Sequence, residues 1–271
     1  MVTYPAPIDP ALDVAKLILD NNLTGVRLCG RLKEISNPYV PRSGLSCSVR
    51  PVRQLPGQSG PVIPRLQLMS TGFESPLLAR PGAGLPAAEL LFSQLLLALV
   101  RATCSRASAL RRFLSEARRI CRLVGPLEDG VGGRQVLVPR LLGLEDSSRF
   151  WSPFMVVEHL IIVDSNMFRI ITDLVAGRPH PDEARIENFK PSPTAGRACL
   201  VVFEQLVAEF VAIVPQWPNL RTQCRHSHPW FGPLDAHGWF CLAGIHHAIH
   251  PRQLERIIAS PAGGRLRPLG S

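Results

Sequence analysis

The chain has 271 residues and a mass of 29.8 kDa, and 46% of its residues are hydrophobic, so it can bury a sizeable core and is too long for a single peptide module. The 30 Lys and Arg residues against 21 Asp and Glu residues give a net charge of +9, which leaves nucleic acids, acidic membrane surfaces and anionic ligands open as partners. Only 19% of the residues are charged and 26 are proline, which excludes a highly charged disordered chain and a long coiled coil.

The sequence gives no sign of a membrane span or of a secretory signal. The longest apolar run, residues 85–100, is interrupted by Glu89 and is shorter than the roughly 20 residues that a span requires. Residues 1–14 lack a basic region followed by an apolar one. The seven cysteines are an odd number and form no C-x-x-C pair, which argues against a disulfide framework and against a four-cysteine zinc site. We therefore expect a cytoplasmic protein without membrane contact.

The first third of the chain differs in composition from the rest. Residues 1–84 contain 11 of the 26 prolines but only 3 of the 17 aromatic residues and none of the four tryptophans. Proline at this density breaks helices and central strands, and few aromatic side chains leave little to bury. We predict a largely disordered extension with one weak helix over residues 10–21, then a helical domain over residues 85–260 and a flexible tail over residues 261–271.

The predicted domain contains four long stretches with helical spacing of apolar residues and no convincing alternation of strands. The four stretches cover residues 86–123, 151–176, 197–214 and 235–259. Because the first is far longer than the mean helix of about 11 to 12 residues, we expect a break near residues 105–108. Four long helices joined by polar, proline-rich loops predict an all-α fold, and an antiparallel four-helix bundle is its most economical architecture.

Residues typical of helix ends support the second and fourth helices. Ser147 and Ser148 are candidate N-caps of the second helix, Pro153 suits its first turn, and Gly177 suits its end. Asp235 is the candidate N-cap of the fourth helix.

Three histidines are placed where a metal ion could use them. His246 and His250 are four residues apart on the fourth helix, so both imidazoles lie on one face, about one turn apart. His159 lies inside the second helix, at a level where a neighbouring helix could bring it to the same point. Three neutral imidazoles suit Zn, Ni or Fe(II) and leave a position for water or substrate. On spacing alone, ordinary exposed histidines and a hydrogen-bonded core histidine remain the more frequent arrangement.

Two stretches resemble a known family. WSPFMVVEHL, residues 151–160, is similar to the second-helix motif of the DinB-like (DinB/YfiT-type) four-helix bundles, and residues 228–257, from HPWFG to QLERI, are similar to their fourth-helix signature. The resemblance extends from about residue 134 to residue 257. In that family three histidines bind a divalent metal, and the resemblance implies the same role, with Zn, Ni or Fe as cofactor, for the matching residues His159, His246 and His250.

The sequence departs from a regular helix at Pro251. Proline at this position removes a hydrogen bond to the carbonyl of His247 and disfavours helical dihedral angles at His250, at a cost of about 3 kcal/mol in a helix interior. A kink could therefore either leave the site intact or move His250 away from His246. His247 points about 100° away from His246 and cannot replace it without rotation of the helix.

The resemblance leaves three functions open. DinB-like bundles include metal-dependent S-transferases and isomerases that use low-molecular-weight thiols, which implies a thiolate attacking a small electrophile, although no general base can be named and the catalytic residues remain unknown. The alternative is a non-catalytic metal-binding or stress-associated bundle, monomeric or homodimeric. The least supported function is nucleic-acid association through residues 101–122, which hold seven arginines and one glutamate but no interleaved aromatic residue.

Five further residues flank these motifs. Glu158 is a candidate acid–base residue or a residue that hydrogen-bonds to a metal ligand. The alternative is a solvated residue or one that binds a loop. Gln253 lies on the face of His246 and could bond a ligand or a neighbouring helix. Lys190 could attract an anion or be a solvated loop residue, and we expect His228 and Trp230 to lock their loop against the end of the bundle.

Overall fold

The computed structural model of the chain describes residues 76–260. The helix predicted over residues 10–21 and the predicted tail lie outside the described residues, as does most of the predicted extension.

The described part of the chain is rich in helix and contains six α-helices. Their bounds are α1 Ala87–Thr103, α2 Arg106–Val124, α3 Asp129–Gly132, α4 Pro153–Val175, α5 Ala198–Ile213 and α6 Ala236–Ala259. The helical character predicted from the sequence is therefore confirmed. Between the helices lie two antiparallel strand pairs, β1 Val136–Leu137 with β2 Phe150–Trp151 and β3 His226–His228 with β4 Gly232–Leu234. The all-α prediction is therefore confirmed only in its helical character, since these strands of two or three residues are too short to show an alternating pattern in the sequence.

The predicted break in the first helical stretch is confirmed. Helix α1 ends before Cys104, and α2 begins after Ser105, whose extended backbone and hydroxyl cap it. The Ser105 hydroxyl accepts a hydrogen bond from the backbone N–H of Ser108, which satisfies one of the free donors at the start of the helix.

The start of α4 lies later than predicted. Its N-cap is Ser152, because the two residues before it belong to β2, and Ser147 and Ser148 lie instead in a 3-10 turn. Pro153 occupies the first helical turn and Gly177 follows the helix end with a φ of +72°, both as predicted. The predicted Asp235 cap of α6 is also confirmed.

Helix α6 occupies a central place in the domain. It packs against α1, α2 and α4, while α5 packs against α2 and α4. The side chains between these helices form two clusters of buried apolar residues. The first cluster includes Phe113, Phe210, Trp239 and Phe240, and the second includes Ile120, Phe154, Leu160 and Phe203. The packing of α4 against α6 places their facing residues close together.

Helix α1 is less completely covered than the other long helices. Its Glu89 is buried and forms an ion pair with Arg140. On another part of the helix, large apolar side chains are exposed at Leu91, Phe92, Leu95 and Leu99.

The stretch Ala198–Gln216, which comprises α5 and the turn after it, is long and apolar enough to cross a membrane by length and composition alone, and 22% of its most apolar window is buried. The expectation of no membrane contact stays a prediction.

Residues just before α1 are tied to the turn before β2. The backbone N–H groups of Gly82 and Gly84 both donate to Oε1 of Glu145, and the N–H of Ala79 donates to Asp146. The sequence placed these residues in the extension, and the domain boundary at residue 85 stays a prediction.

Candidate metal centre

Helices α4 and α6 bring the three predicted histidines together. Nε2 of His246 lies 3.2 Å from Nε2 of His159 and 3.1 Å from Nε2 of His250. All three ring nitrogens lie within 4.8 Å of one another, and His250 is buried while the other two residues are half-buried. In the part of the chain that the structure describes, no other group of three histidine, cysteine, aspartate or glutamate residues has its ligand atoms this close together.

Hydrogen bonds orient two of the three rings. Nδ1 of His159 lies 2.7 Å from the carbonyl oxygen of Phe189, and Nδ1 of His250 lies 2.9 Å from Oε1 of Gln253. Because both partners are acceptors, each Nδ1 carries the proton and each Nε2 presents a lone pair. The amide nitrogen of Gln253 in turn donates to the carbonyl oxygen of Ser148. This arrangement of hydrogen-bonded imidazoles is typical of metal ligands.

The donor set fits a divalent transition metal. Ligands about 2.1 Å from a common ion are separated by about 3.4 Å in a tetrahedral site and by about 3.0 Å at right angles. The two Nε2 separations at His246 fall between these values. Nε2 of His159 and Nε2 of His250 both present lone pairs toward Nε2 of His246. A single proton on Nε2 of His246 can form a hydrogen bond with only one of them. A cation between the three rings would satisfy all of them at once.

Burial keeps the three imidazoles neutral, which is the form that binds a metal. Burial lowers the pKa of His159 to about 4, and the bond to the Phe189 carbonyl offsets this only in part. Burial and the neighbouring imidazoles hold the pKa values of His246 and His250 well below the usual range.

Pro251 does not move His250 away from His246. Helix α6 continues through Pro251 to Ala259, and both Pro251 and His250 are buried. Of the two outcomes that the sequence left open, the structure has the one in which the rings stay together.

His247 points away from the triad, as its position in the helix predicts. Its Nε2 donates to Oδ2 of Asp164 at 2.7 Å, and both side chains are fully buried between α4 and α6. The imidazole also packs against the ring of Phe113, with 4.2 Å between centroids. This pair was not predicted from the sequence, because Asp164 stands among apolar residues of α4 without any spacing signal.

Glu158 serves a loop and not the triad. Its Oε2 accepts a hydrogen bond from the backbone N–H of Ser192 at 2.5 Å, and the side chain is buried. Among the roles that the sequence left open for Glu158, the structure therefore has the loop-binding one. Gln253, by contrast, contacts the site directly through His250.

Lys190 lies beside the site and is held by several partners. Its Nζ donates to the Ser147 hydroxyl at 2.6 Å and pairs with Glu145 at 3.2 Å. The ammonium lies 5.4 Å from the ring of Trp151, which packs against His159. Burial raises the pKa of Glu145, but hydrogen bonds from Ser147 and Gly84 and the Lys190 charge outweigh it and lower the pKa overall. Neither the anchoring of Lys190 nor the Trp151 contact could be seen in the sequence.

His228 and Trp230 are bonded to each other in the β3–β4 hairpin. Nδ1 of His228 accepts from the backbone N–H of Trp230, whose carbonyl accepts from Gln94 of α1. The predicted role of locking the loop to the helices agrees with these contacts.

The arginines of α2 are exposed or half-buried. Arg119 is paired with Glu116 and Glu255, and Arg111 donates to Ser108. Nothing in this arrangement tests nucleic-acid binding, which stays a prediction.

Comparison of the chain with protein-family models, with curated proteins and with solved structures finds no match in any of the three. The DinB-like resemblance therefore rests on the residues quoted above.

Proposed function

We propose that the protein is a DinB-like four-helix bundle that binds a divalent metal ion through His159, His246 and His250. The observation that carries this proposal is the convergence of three neutral Nε2 atoms, two of them fixed as lone-pair donors by hydrogen bonds at Nδ1. Four long helices, α2, α4, α5 and α6, pack on one another, which supports a bundle.

We further propose that the site serves thiol chemistry. A divalent metal held by three imidazoles lowers the pKa of a bound thiol and so supplies a thiolate at neutral pH. The chain's own residues would orient the ligands and position the substrates. Trp151 packs against His159 and offers an aromatic wall, and the Lys190 ammonium, paired with Glu145, lies beside it.

Three of the five described cysteines are poorly suited to act as the nucleophile, which favours an external thiol. Burial raises the pKa of Cys199 and Cys241 to about 12 and that of Cys121 to about 11, so these thiols stay protonated at neutral pH. The triad consists of histidines alone and contains no carboxylate. The nearby carboxylates of Glu158 and Glu145 already accept hydrogen bonds from Ser192 and Lys190. A reaction at this site would therefore take its nucleophile from a substrate.

Cobalt substitution tests the thiol-binding proposal. Co²⁺ added to the full chain should give visible absorption bands, and addition of a small thiol such as glutathione should add a sulfur-to-metal charge-transfer band. His246→Ala should abolish the thiol-dependent band and lose the visible bands that belong to the triad. Co²⁺ bands without any response to thiols would leave a metal-binding protein and remove the thiol function. Conjugation of thiols to an aromatic halide by the metal-loaded protein then distinguishes an S-transferase from the non-catalytic alternative.

We also propose a cytoplasmic location, with a homodimer as one alternative for the assembly and Zn, Ni or Fe as alternatives for the metal. The exposed apolar side chains of α1 would suit a second copy of the chain.

A further inference from the structure

A second pair of imidazoles lies outside the triad, where the loop after α4 meets the β3–β4 hairpin. The rings of His180 and His226 are perpendicular, with centroids 5.3 Å apart. The corresponding distance between His159 and His246 in the triad is 5.2 Å. Nε2 of His180 and Nε2 of His226 are both buried and have no hydrogen-bond partner among the described residues. Two buried nitrogens without partners need an explanation.

A carboxylate fixes the orientation of the first ring. Nδ1 of His180 donates to Oδ2 of Asp173 at 2.8 Å, and Arg178 donates to the other oxygen. Burial raises the pKa of Asp173, but the two hydrogen bonds outweigh it and lower the pKa overall, so the carboxylate is ionised. With its proton on Nδ1, His180 presents a lone pair at Nε2, and its side chain is only 1% exposed. A carboxylate behind an imidazole is the arrangement that commonly supports a metal ligand.

A third donor lies next to the first ring. Oδ2 of Asp182 is 3.9 Å from Nε2 of His180, and the Asp182 side chain is 66% exposed. Its other partner is Arg169 at 3.2 Å, whose side chain is also exposed. Because exposed ion pairs of this kind contribute little stability, Asp182 can leave Arg169 without a large penalty.

We propose that His180, His226 and Asp182 form a second metal site, which takes a divalent ion of the zinc class and clips the loop after α4 to the β3–β4 hairpin. Two imidazoles and a carboxylate, with a water as fourth ligand, are a common zinc donor set. The ligand atoms of the triad all lie within 4.8 Å of one another, whereas those of this group do not. Metal binding therefore requires the group to close on the ion, and Asp182 is exposed and can move. Burial lowers the pKa of His226, which favours the neutral form that binds a metal.

The test uses the full chain with His246→Ala, so that the triad no longer contributes. Zn²⁺ titration against a chelating dye should show one bound equivalent in His246→Ala and none of comparable affinity in His246→Ala/His226→Ala. Zn²⁺ should also raise the melting temperature of the first variant and not of the second. Equal Zn²⁺ binding by both variants, or no binding by His246→Ala, would overturn the proposal.

Surface variants keep the test independent of folding. In the His246→Ala background, Asp182→Asn should weaken Zn²⁺ binding at least tenfold. Glu183→Gln is the matched control, because Glu183 is the next residue, is 82% exposed and pairs with Arg185. Equal affinities for the two variants would contradict the role of Asp182. Failure of the triad proposal would look different, since the wild type and His246→Ala would then bind the same single equivalent.

Discussion

Nε2 of His246 lies 3.1 Å from Nε2 of His250, although a proline follows His250 directly inside the helix. The i,i+4 spacing puts both rings on one face, and α6 continues for eight further residues after Pro251, to Ala259. The segment from His250 to Ile257 contributes several buried side chains, so tertiary packing offsets the intrinsic cost of proline.

Replacing Pro251 should therefore leave the site intact. Pro251→Ala restores a backbone donor toward the carbonyl of His247, and the gain in unfolding free energy is at most about 3 kcal/mol, reduced by the loss of ring packing. Urea unfolding and metal content measured on the same samples check this. A variant that folds but loses its metal would show that the proline itself positions His250.

Gln253 should set the affinity of the site for metal. Gln253→Leu removes both the acceptor for His250 and the donor to the Ser148 carbonyl. We expect metal to bind about 10 to 100-fold more weakly, which is the usual effect of removing a residue that hydrogen-bonds to a metal ligand. Gln253→Glu keeps an acceptor for His250 and should retain more of the affinity. Competition with a chelator measures both variants, with the exposed Glu255→Gln on the same helix as control. Unchanged affinity in Gln253→Leu would show that His250 is held by packing alone.

The buried Asp164–His247 pair should be important for stability. Asp164→Ala leaves a buried imidazole nitrogen without its partner, and we expect a loss of about 1 to 3 kcal/mol in unfolding free energy. Replacing both groups together, as in Asp164→Leu/His247→Phe, should lose far less than the sum of the single variants. Urea unfolding of Asp164→Leu, His247→Phe and the double variant, beside the wild type, forms a double-mutant cycle. Additive losses would mean that the two side chains do not stabilise each other.

Acid should destabilise the protein through His228. Burial, followed by the charge of His226, lowers the pKa of His228 to about 4 in the folded state, against about 6.5 when unfolded. Between these values the unfolded chain binds a proton that the folded chain does not, so the contribution to stability is complete above pH 6.5 and is lost as the pH falls toward 4. The loss should reach about 2 kcal/mol by pH 5.

Urea unfolding at pH 7 and pH 5 measures this loss. His228→Gln keeps an acceptor for the Trp230 N–H but has no proton to gain, so its stability should fall less over the same interval. An equal loss in the wild type and the variant would assign the acid sensitivity to other groups.

Much of the helical framework could be predicted from the sequence because its signals are local. The Asp235 cap, Pro153 in a first turn and the break before Ser105 each depend on a few neighbouring residues. The positions of the three site histidines on their helices follow from the same local spacing.

The parts that were missed depend on tertiary contacts. The carbonyl of Phe189 and that of Ser148 reach the site from loops, and side-chain bonds between distant segments leave no periodic pattern. His180 and His226 are far apart in the chain and meet only when the loop packs on the hairpin. The N-cap of α4 is Ser152 and neither of the predicted serines, because the strand Phe150–Trp151 lies between those serines and the first residue of the helix.

The most direct test of the central claim is the metal content of the full chain after equilibration with Zn²⁺. His237→Gln is the matched control, because His237 lies on the same helix outside the triad and glutamine can still donate to the Arg101 carbonyl. We predict that His246→Ala binds one equivalent of metal fewer than the wild type, while His237→Gln binds the same amount as the wild type. Equal metal content in the wild type and His246→Ala, with both proteins folded, would contradict a metal site at His159, His246 and His250.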